Sequence, residues 1–204
     1  DDAKHTASKL PFSTVRPMGL TAAGGAERCR MEVKFPTCLA TFVDPATGEP
    51  RVACGGGKVQ ICDPVTGGAA LVVVEVGEDY VKALEVFKDP ATGELRLACG
   101  TGNRRIGDVR IVDPLTGGEA LLVIDVGSKV LALAFFPDPA TGALRLACGC
   151  YDGKVRIFDP VAGGEALLVL DAGSEVVDLV AFEDLATGAP QLACGSGGYN
   201  ENNW

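Results

Sequence analysis

Residues 138–174, DPATGALRLACGCYDGKVRIFDPVAGGEALLVLDAGS, decide how the chain is read, because versions of this stretch stand both upstream and downstream of it. The pentapeptide Asp-Pro-Ala-Thr-Gly occurs at 44–48, 89–93 and 138–142, and as Asp-Leu-Ala-Thr-Gly at 184–188, with starts 45, 49 and 46 residues apart. Four Cys-Gly pairs, beginning at Cys54, Cys99, Cys148 and Cys194, keep the same beat. A second turn, Asp-Pro-x-x-Gly-Gly, recurs at 63–68, 113–118 and 159–164. Three registers that agree over four units identify a repeat protein, in which each unit buries its apolar face only by stacking on its neighbours.

Each unit reads as four short strands. The first is apolar and ends in Phe: VKALEVF at 81–87, VLALAFF at 130–136, VVDLVAF at 176–182. The Asp-Pro turn follows, where Asp can accept from its own backbone, Pro presets φ and Gly takes the left-handed position. The second strand is LRLAC, at 95–99 and 144–148. The third alternates, KVQI, DVRI and KVRI, with Val and Ile on one face and Gln60, Arg110 or Arg156 on the other. After the second turn comes a nearly continuous apolar strand such as ALLVID at 120–125, and then Gly127-Ser128 restarts the cycle. No stretch keeps a helical period, and β-branched residues are dense where strands are expected.

A period near 45 residues with four strands resembles the WD40 repeat family of β-propellers. The resemblance covers about residues 21–204 and rests on Leu-Ala-Cys-Gly in strand two, Lys-Val-Arg-Ile-Phe-Asp at 154–159, and the Gly that closes strand four. The family's Trp-Asp becomes Cys62-Asp63, Val112-Asp113 and Phe158-Asp159, and its Gly-His becomes Gly77-Glu78, Gly127-Ser128 and Gly173-Ser174. Its loop Asp survives plainly only as Asp152, so its buried His–Ser–Asp–Trp network cannot form as a set. The implied fold is an all-β propeller of four-stranded antiparallel blades. Its units fall at about 35–78, 79–128, 129–174, and 175–204 together with 21–34.

The ends suggest how such a propeller would finish. TAAGGAERCRMEV at 21–33 aligns with LTGGEALLVIDV at 115–126, so it is a fourth strand without its first three. CGSGGYNENNW at 194–204 supplies the second strand and part of a third. Together the pieces amount to sixteen strands, which favours four blades closed by pairing the N-terminal strand with the C-terminal blade. The alternative is an open arc, completed by more chain or by a second copy. Residues 1–20 have no repeat counterpart and read as an extended arm, either a tail or a docking segment anchored by Leu10, Phe12, Val15 and Met18. A start at Asp1 rather than Met is expected of a processed product or of part of a longer one.

Composition narrows the function. The chain has 204 residues, 47% of them apolar, and a net charge of −9, which argues against a phosphate-binding surface and hence against nucleic acid. No run of 18 apolar residues exists, so no membrane-spanning segment is expected. Cys54, Cys99, Cys148 and Cys194 are one position sampled four times, read as small buried hydrophobes rather than ligands or disulfides. Pairs Cys29–Cys62 or Cys29–Cys38 stay open, though a reducing intracellular compartment fits the pattern better. The lone His5 lies in the arm, which leaves zinc and a serine triad without a His. Gly100-Thr-Gly-Asn-Arg-Arg105 begins like a dinucleotide fingerprint, but Arg105 replaces the third Gly and no helix follows.

What remains is a regular frame with irregular loops. The loop between strands two and three is GGGK at 55–58 in one unit and GTGNRRIGD at 100–108 in the next. These loops share one face of a propeller with the segments joining strand four to strand one, and loops tolerate the variation that binding requires. The residues expected to contact a partner are Asn103, Arg104 and Arg105, with Tyr80, Lys129, Tyr151 and Asp152 on the same face and Leu10 and Phe12 on the arm. Asp178 replaces Ala83 and Ala132 inside strand one, and with Glu85 it could make a central channel polar. The expectation is a non-catalytic protein-interaction scaffold, or a structural subunit of a larger assembly, without cofactor or metal. A small-ligand or carbohydrate-binding propeller is the alternative, and an enzyme using channel carboxylates the third reading.

Overall fold

The structure is a computed structural model that describes residues 14–15, 18–21, 24–27, 31–33, 35–77, 79–103 and 106–197. Every regular element among them is a strand. An N-terminal group holds β1 (Thr14–Val15), β2 (Met18–Thr21), β3 (Gly24–Glu27) and β4 (Met31–Glu32). Blade 1 is β5 (Cys38–Val43), β6 (Pro50–Gly55), β7 (Val59–Cys62) and β8 (Val72–Val74). Blade 2 is β9 (Val81–Lys88), β10 (Leu95–Thr101), β11 (Asp108–Val112) and β12 (Leu122–Asp125). Blade 3 is β13 (Val130–Pro137), β14 (Leu144–Cys150), β15 (Lys154–Phe158) and β16 (Leu168–Asp171). A half-blade, β17 (Val176–Glu183) and β18 (Pro190–Ser196), follows. Each full blade is an antiparallel meander in chain order, the β-propeller blade foreseen from the sequence.

The turns form as their residues dictate. Asp44, Asp89, Asp138 and Asp184 each accept at Oδ1 from the amide two residues on, at 2.8–2.9 Å. The glycines that close these turns have φ of 68–72°, a region that a Cβ disfavours. The amide bonds hold the carboxyls of Asp44, Asp138 and Asp184 below the usual range.

Blades pack face to face. One layer joins Ala53, Val59, Ile61 and Val74 of blade 1 to Val81, Leu84, Leu97 and Cys99 of blade 2. The next joins Ala98, Val109, Ile111 and Ile124 to Leu133, Leu146, Cys148 and Phe158 of blade 3, with Phe87 stacked on Phe135 at a centroid distance of 4.4 Å. The third joins Ala132, Ala134, Ala147 and Ile157 to Val176 and Leu179 of the half-blade. Gly149 marks how close the layers come: a Cβ there would sit 2.7 Å from Val176 Cγ1.

The N-terminal fourth strand is present. Met31 and Val33 are buried against Val52, Cys54 and Cys62 of blade 1, as Val74 and Val76 are against blade 2. Met31–Glu32 pairs with Thr14–Val15, so strand structure reaches into the stretch expected to be an arm. Among the described residues neither β1 nor β4 pairs with β18, and the ends of the arc are not joined. Residues 198–204, expected to carry part of a third strand, lie outside the described residues, as do Leu10 and Phe12.

On the fourth strands, the apolar runs expected from the sequence, Val73, Val123 and Val169 are about half exposed. One expectation changes. Cys194 is exposed, unlike Cys54, Cys99 and Cys148, because the third strand that covers its counterparts has no equivalent beside β18 among the described residues.

Candidate functional site

At one end of each sheet the loop between strands two and three meets the segment leading into the next first strand. Glycine makes the approach possible. A Cβ on Gly102 would lie 2.7 Å from Lys129 Cβ, and one on Gly153 would lie 3.1 Å from the Ser174 amide nitrogen. Gly107 backs onto the carbonyls of Thr101 and Ser128. The long loop of blade 2 is therefore packed on the entry to blade 3, and the two form one continuous surface.

On blade 3 the Tyr151 amide donates to Lys129 O at 3.0 Å, and Lys129 Nζ stands 4.5 Å from the centroid of the Tyr151 ring. The Asp152 amide donates to Ser128 Oγ at 3.3 Å. Arg156 forks onto Asp152, Nη1 to Oδ1 at 2.9 Å and Nη2 to Oδ2 at 2.6 Å, and these bonds hold the Asp152 carboxyl below its ordinary range. The neighbouring Cys150 thiol is buried and pushed up to about 11, which leaves it inert at neutral pH. Asp152 is thus a neutralised loop pin, and Tyr151 stands beside it, 44% exposed, with the Lys129 ammonium over its ring.

On blade 2, Asn103 and Ile106 exchange backbone bonds at 3.2 and 3.3 Å across a tight turn. Arg104 and Arg105, between them in sequence, lie outside the described residues. Ile106 is 72% exposed and was not foreseen as a contact residue; its signal was one large apolar residue in an otherwise polar and glycine-rich loop. Asp108 anchors the base of the loop: Thr101 Oγ1 donates to its carboxylate and Arg110 Nε donates to Oδ2 at 3.1 Å. Tyr80, half exposed, joins the same end through its carbonyl, which accepts the Gly102 amide at 3.0 Å, and its ring lies 5.6 Å from Lys82 Nζ. The structure thus brings Tyr80, Asn103, Lys129, Tyr151 and Asp152 to one face.

The opposite end is closed by ion pairs that the sequence reading missed. Arg51 reaches Asp44 and Glu49 at 3.5 and 2.7 Å, and Arg145 reaches Asp138 and Asp159 at 3.2 and 3.4 Å. Arg96 pairs with Glu94 in the same way. The signal was an Arg three residues before each repeated Cys, with Gln191 breaking the series. The two carboxylates considered for a channel are differently placed. Glu85 is half-buried on β9, and that burial raises its carboxyl above the ordinary range. Asp178 is exposed on β17 and accepts the Leu179 amide at 2.9 Å. Among the described residues no group of three or more His, Cys, Asp or Glu side chains is placed to hold a metal ion.

No family model matches the chain, and no curated protein matches it. Solved structures do. The computationally designed Ika8 protein is similar at 25% identity and TM-score 0.56, over 82% of this chain and 49% of that one. Saccharomyces cerevisiae Sqt1 gives 18% identity and TM-score 0.63 over 84% and 48%. BBS1N, solved in complex with ARL6DN, gives 13% identity and TM-score 0.63 over 92% and 56%. The likeness is one of fold, a β-propeller arc, and the chain spans about half the length of these structures.

Proposed function

We propose that the chain is a WD40-like propeller module without catalytic activity, acting as a protein-interaction scaffold or structural subunit of a larger assembly. The observation that carries this reading is the joined loop face of blades 2 and 3. There Ile106 and Tyr151 project from loops that Gly102, Gly107 and the Arg156–Asp152 fork hold in place. Rigid loops presenting an exposed aromatic and an exposed aliphatic residue bind with little ordering cost, which suits a protein partner. Lys129 on Tyr151 places a cation on that face of an acidic chain, and the sequence of the blade 2 loop adds Arg104 and Arg105, which suits a partner's carboxylates. BBS1N, similar in fold, was solved with a protein bound. The free thiols of Cys38, Cys54, Cys62, Cys99, Cys148 and Cys150 suit a reducing compartment.

The test is affinity purification of the tagged chain beside a triple variant, Arg104→Glu, Arg105→Glu, Tyr151→Ala, with the co-purifying proteins quantified. The reading expects at least a tenfold loss of constant companions with unchanged thermal stability, since truncating one interface anchor costs roughly 1–2 kcal/mol or more. Equal recovery of every companion by the variant would end it.

A further inference from the structure

We propose that the two open faces of the arc bind a second copy of the same chain head to tail, so that two arcs close one ring. This goes beyond the scaffold reading and uses other surfaces, away from the loop face.

The repeats make the ends complementary. Leu39 stands where Leu84, Leu133 and Leu179 stand in their units, the position that packs on the preceding blade, yet Leu39 is 52% exposed. At the other end Val180 and Phe182 occupy the positions of Ala134 and Phe136, which face the following blade, and they are 54% and 51% exposed. Phe182 therefore presents what Phe87 presents to Phe135, and Thr41 of a second copy stands at the Phe135 position. Surfaces that recur inside the molecule as buried layers are here left to solvent, which is the condition for heterologous association.

The half-blades are complementary as well. β17 and β18 are the first and second strands of a blade, with no third-strand neighbour on β18 among the described residues. At the other end Met31–Val33 packs on blade 1 as a fourth strand, with Thr14–Val15 paired to it in third-strand position. One copy's inner half and another's outer half make one complete blade and cover two sheet edges. The groove for that outer half is already formed: about 430 Å³, lined by Phe136, Ile157, Leu168, Leu170, Pro190 and Leu192. Its counterpart one blade earlier is filled by the second turn of blade 3, where a Cβ on Gly163 would lie 3.0 Å from Leu122 Cδ1. Gly24-Gly25 holds the register of Gly163-Gly164 in the N-terminal group and is the segment that would seat on Leu168.

A second copy supplies both missing halves. Among the described residues three full blades and the two half-blades amount to four blades per copy, so two copies give eight, within the range of closed propellers. In the single chain the two faces stay exposed.

The test is native mass spectrometry and sedimentation of the full chain. A dimer of 42 kDa, twice 21.0 kDa, is expected. Leu39→Asp and Phe182→Asp should each give a 21.0 kDa monomer with unchanged circular dichroism, because both side chains are exposed in the single chain. Mixing the two variants restores one native junction and should return a heterodimer, which a symmetric face-to-face dimer would not do. A wild-type monomer, a ladder of larger sizes, or a Leu39→Asp variant that stays dimeric would overturn the proposal. Because neither variant touches the loop face, partner binding by the monomeric variants separates failure here from failure of the scaffold reading.

Discussion

Leu146 and Cys148 in β14 are fully buried, whereas Leu192 and Cys194 at the same positions in β18 are half-buried and exposed. Blade 3 and the half-blade share Leu-Ala-Cys-Gly in strand two and an apolar first strand carrying Phe at the same position, so local propensity does not separate these positions. Neighbours do. Blade 3 is flanked on both faces and continued by two more strands, while among the described residues the half-blade has one flank. Burial in a repeat protein is a property of the stack, and the same side chain contributes differently at an end than in the middle.

The largest consequence is in the cores. Leu146→Ala removes side-chain volume from a layer with no exposure and should cost about 2–5 kcal/mol by chemical denaturation. Leu192→Ala, already partly solvated, should cost about 1 kcal/mol. Equal losses would mean that the half-blade is as enclosed as blade 3 in solution.

The next effect is overpacking. Gly149→Ala places a methyl 2.7 Å from Val176 Cγ1, 3.1 Å from Val176 O and 3.2 Å from Ala132 Cβ, so two blades must separate, at roughly 1–3 kcal/mol. Gly195→Ala meets only Asp178, at an ordinary 3.4 Å, and should leave thermal stability of the single chain unchanged. The pair also sharpens the ring proposal. If copies join at this face, Gly195→Ala weakens the dimer while sparing the fold, which sedimentation at several concentrations would show.

Much of this architecture was legible because repetition multiplies weak signals. One Asp-Pro-Ala-Thr-Gly is a turn; three and an Asp-Leu-Ala-Thr-Gly variant spaced 45–49 residues apart, with Cys-Gly and Asp-Pro-x-x-Gly-Gly in step, fix strand number, order and direction. The fourth strand that β4 and Val33 represent was readable from the alignment of 21–33 with 115–126. What was not legible depends on contacts between units. Exposure of Cys194 depends on whether a third strand lies beside β18, and none does among the described residues; exposure of Ile106 depends on the packing of Gly107 against the entry to blade 3. The Arg51, Arg96 and Arg145 pairs join side chains whose meeting requires the turns to be folded first. At the loop face, Tyr151 and Lys129 were candidates without a stated relation; the fold stacks one on the other.

The smallest effect is electrostatic and divides the same two regions. Asp138 and Asp184 open equivalent turns and accept the same backbone amides, but Arg145 Nε adds a 3.2 Å bond to Asp138 Oδ2, and Gln191 stands where the Arg for Asp184 would be. Both carboxyls lie below their usual range when folded. A depressed folded pKa contributes stability that is fully present above the unfolded value, near 4, and lost as pH falls through the folded one. Thermal midpoints should therefore drop between about pH 5 and about pH 2, the range in which carboxylates protonate. Asp138→Asn should flatten that drop more than Asp184→Asn, because it removes a titrating group that has a cationic partner as well as amide donors. Both sites are partly open to solvent and screened, so added salt should shrink the difference between the two variants. If instead Asp184→Asn flattens the acid transition equally, backbone donors alone set these carboxyls and the Arg145 pair contributes nothing to their titration.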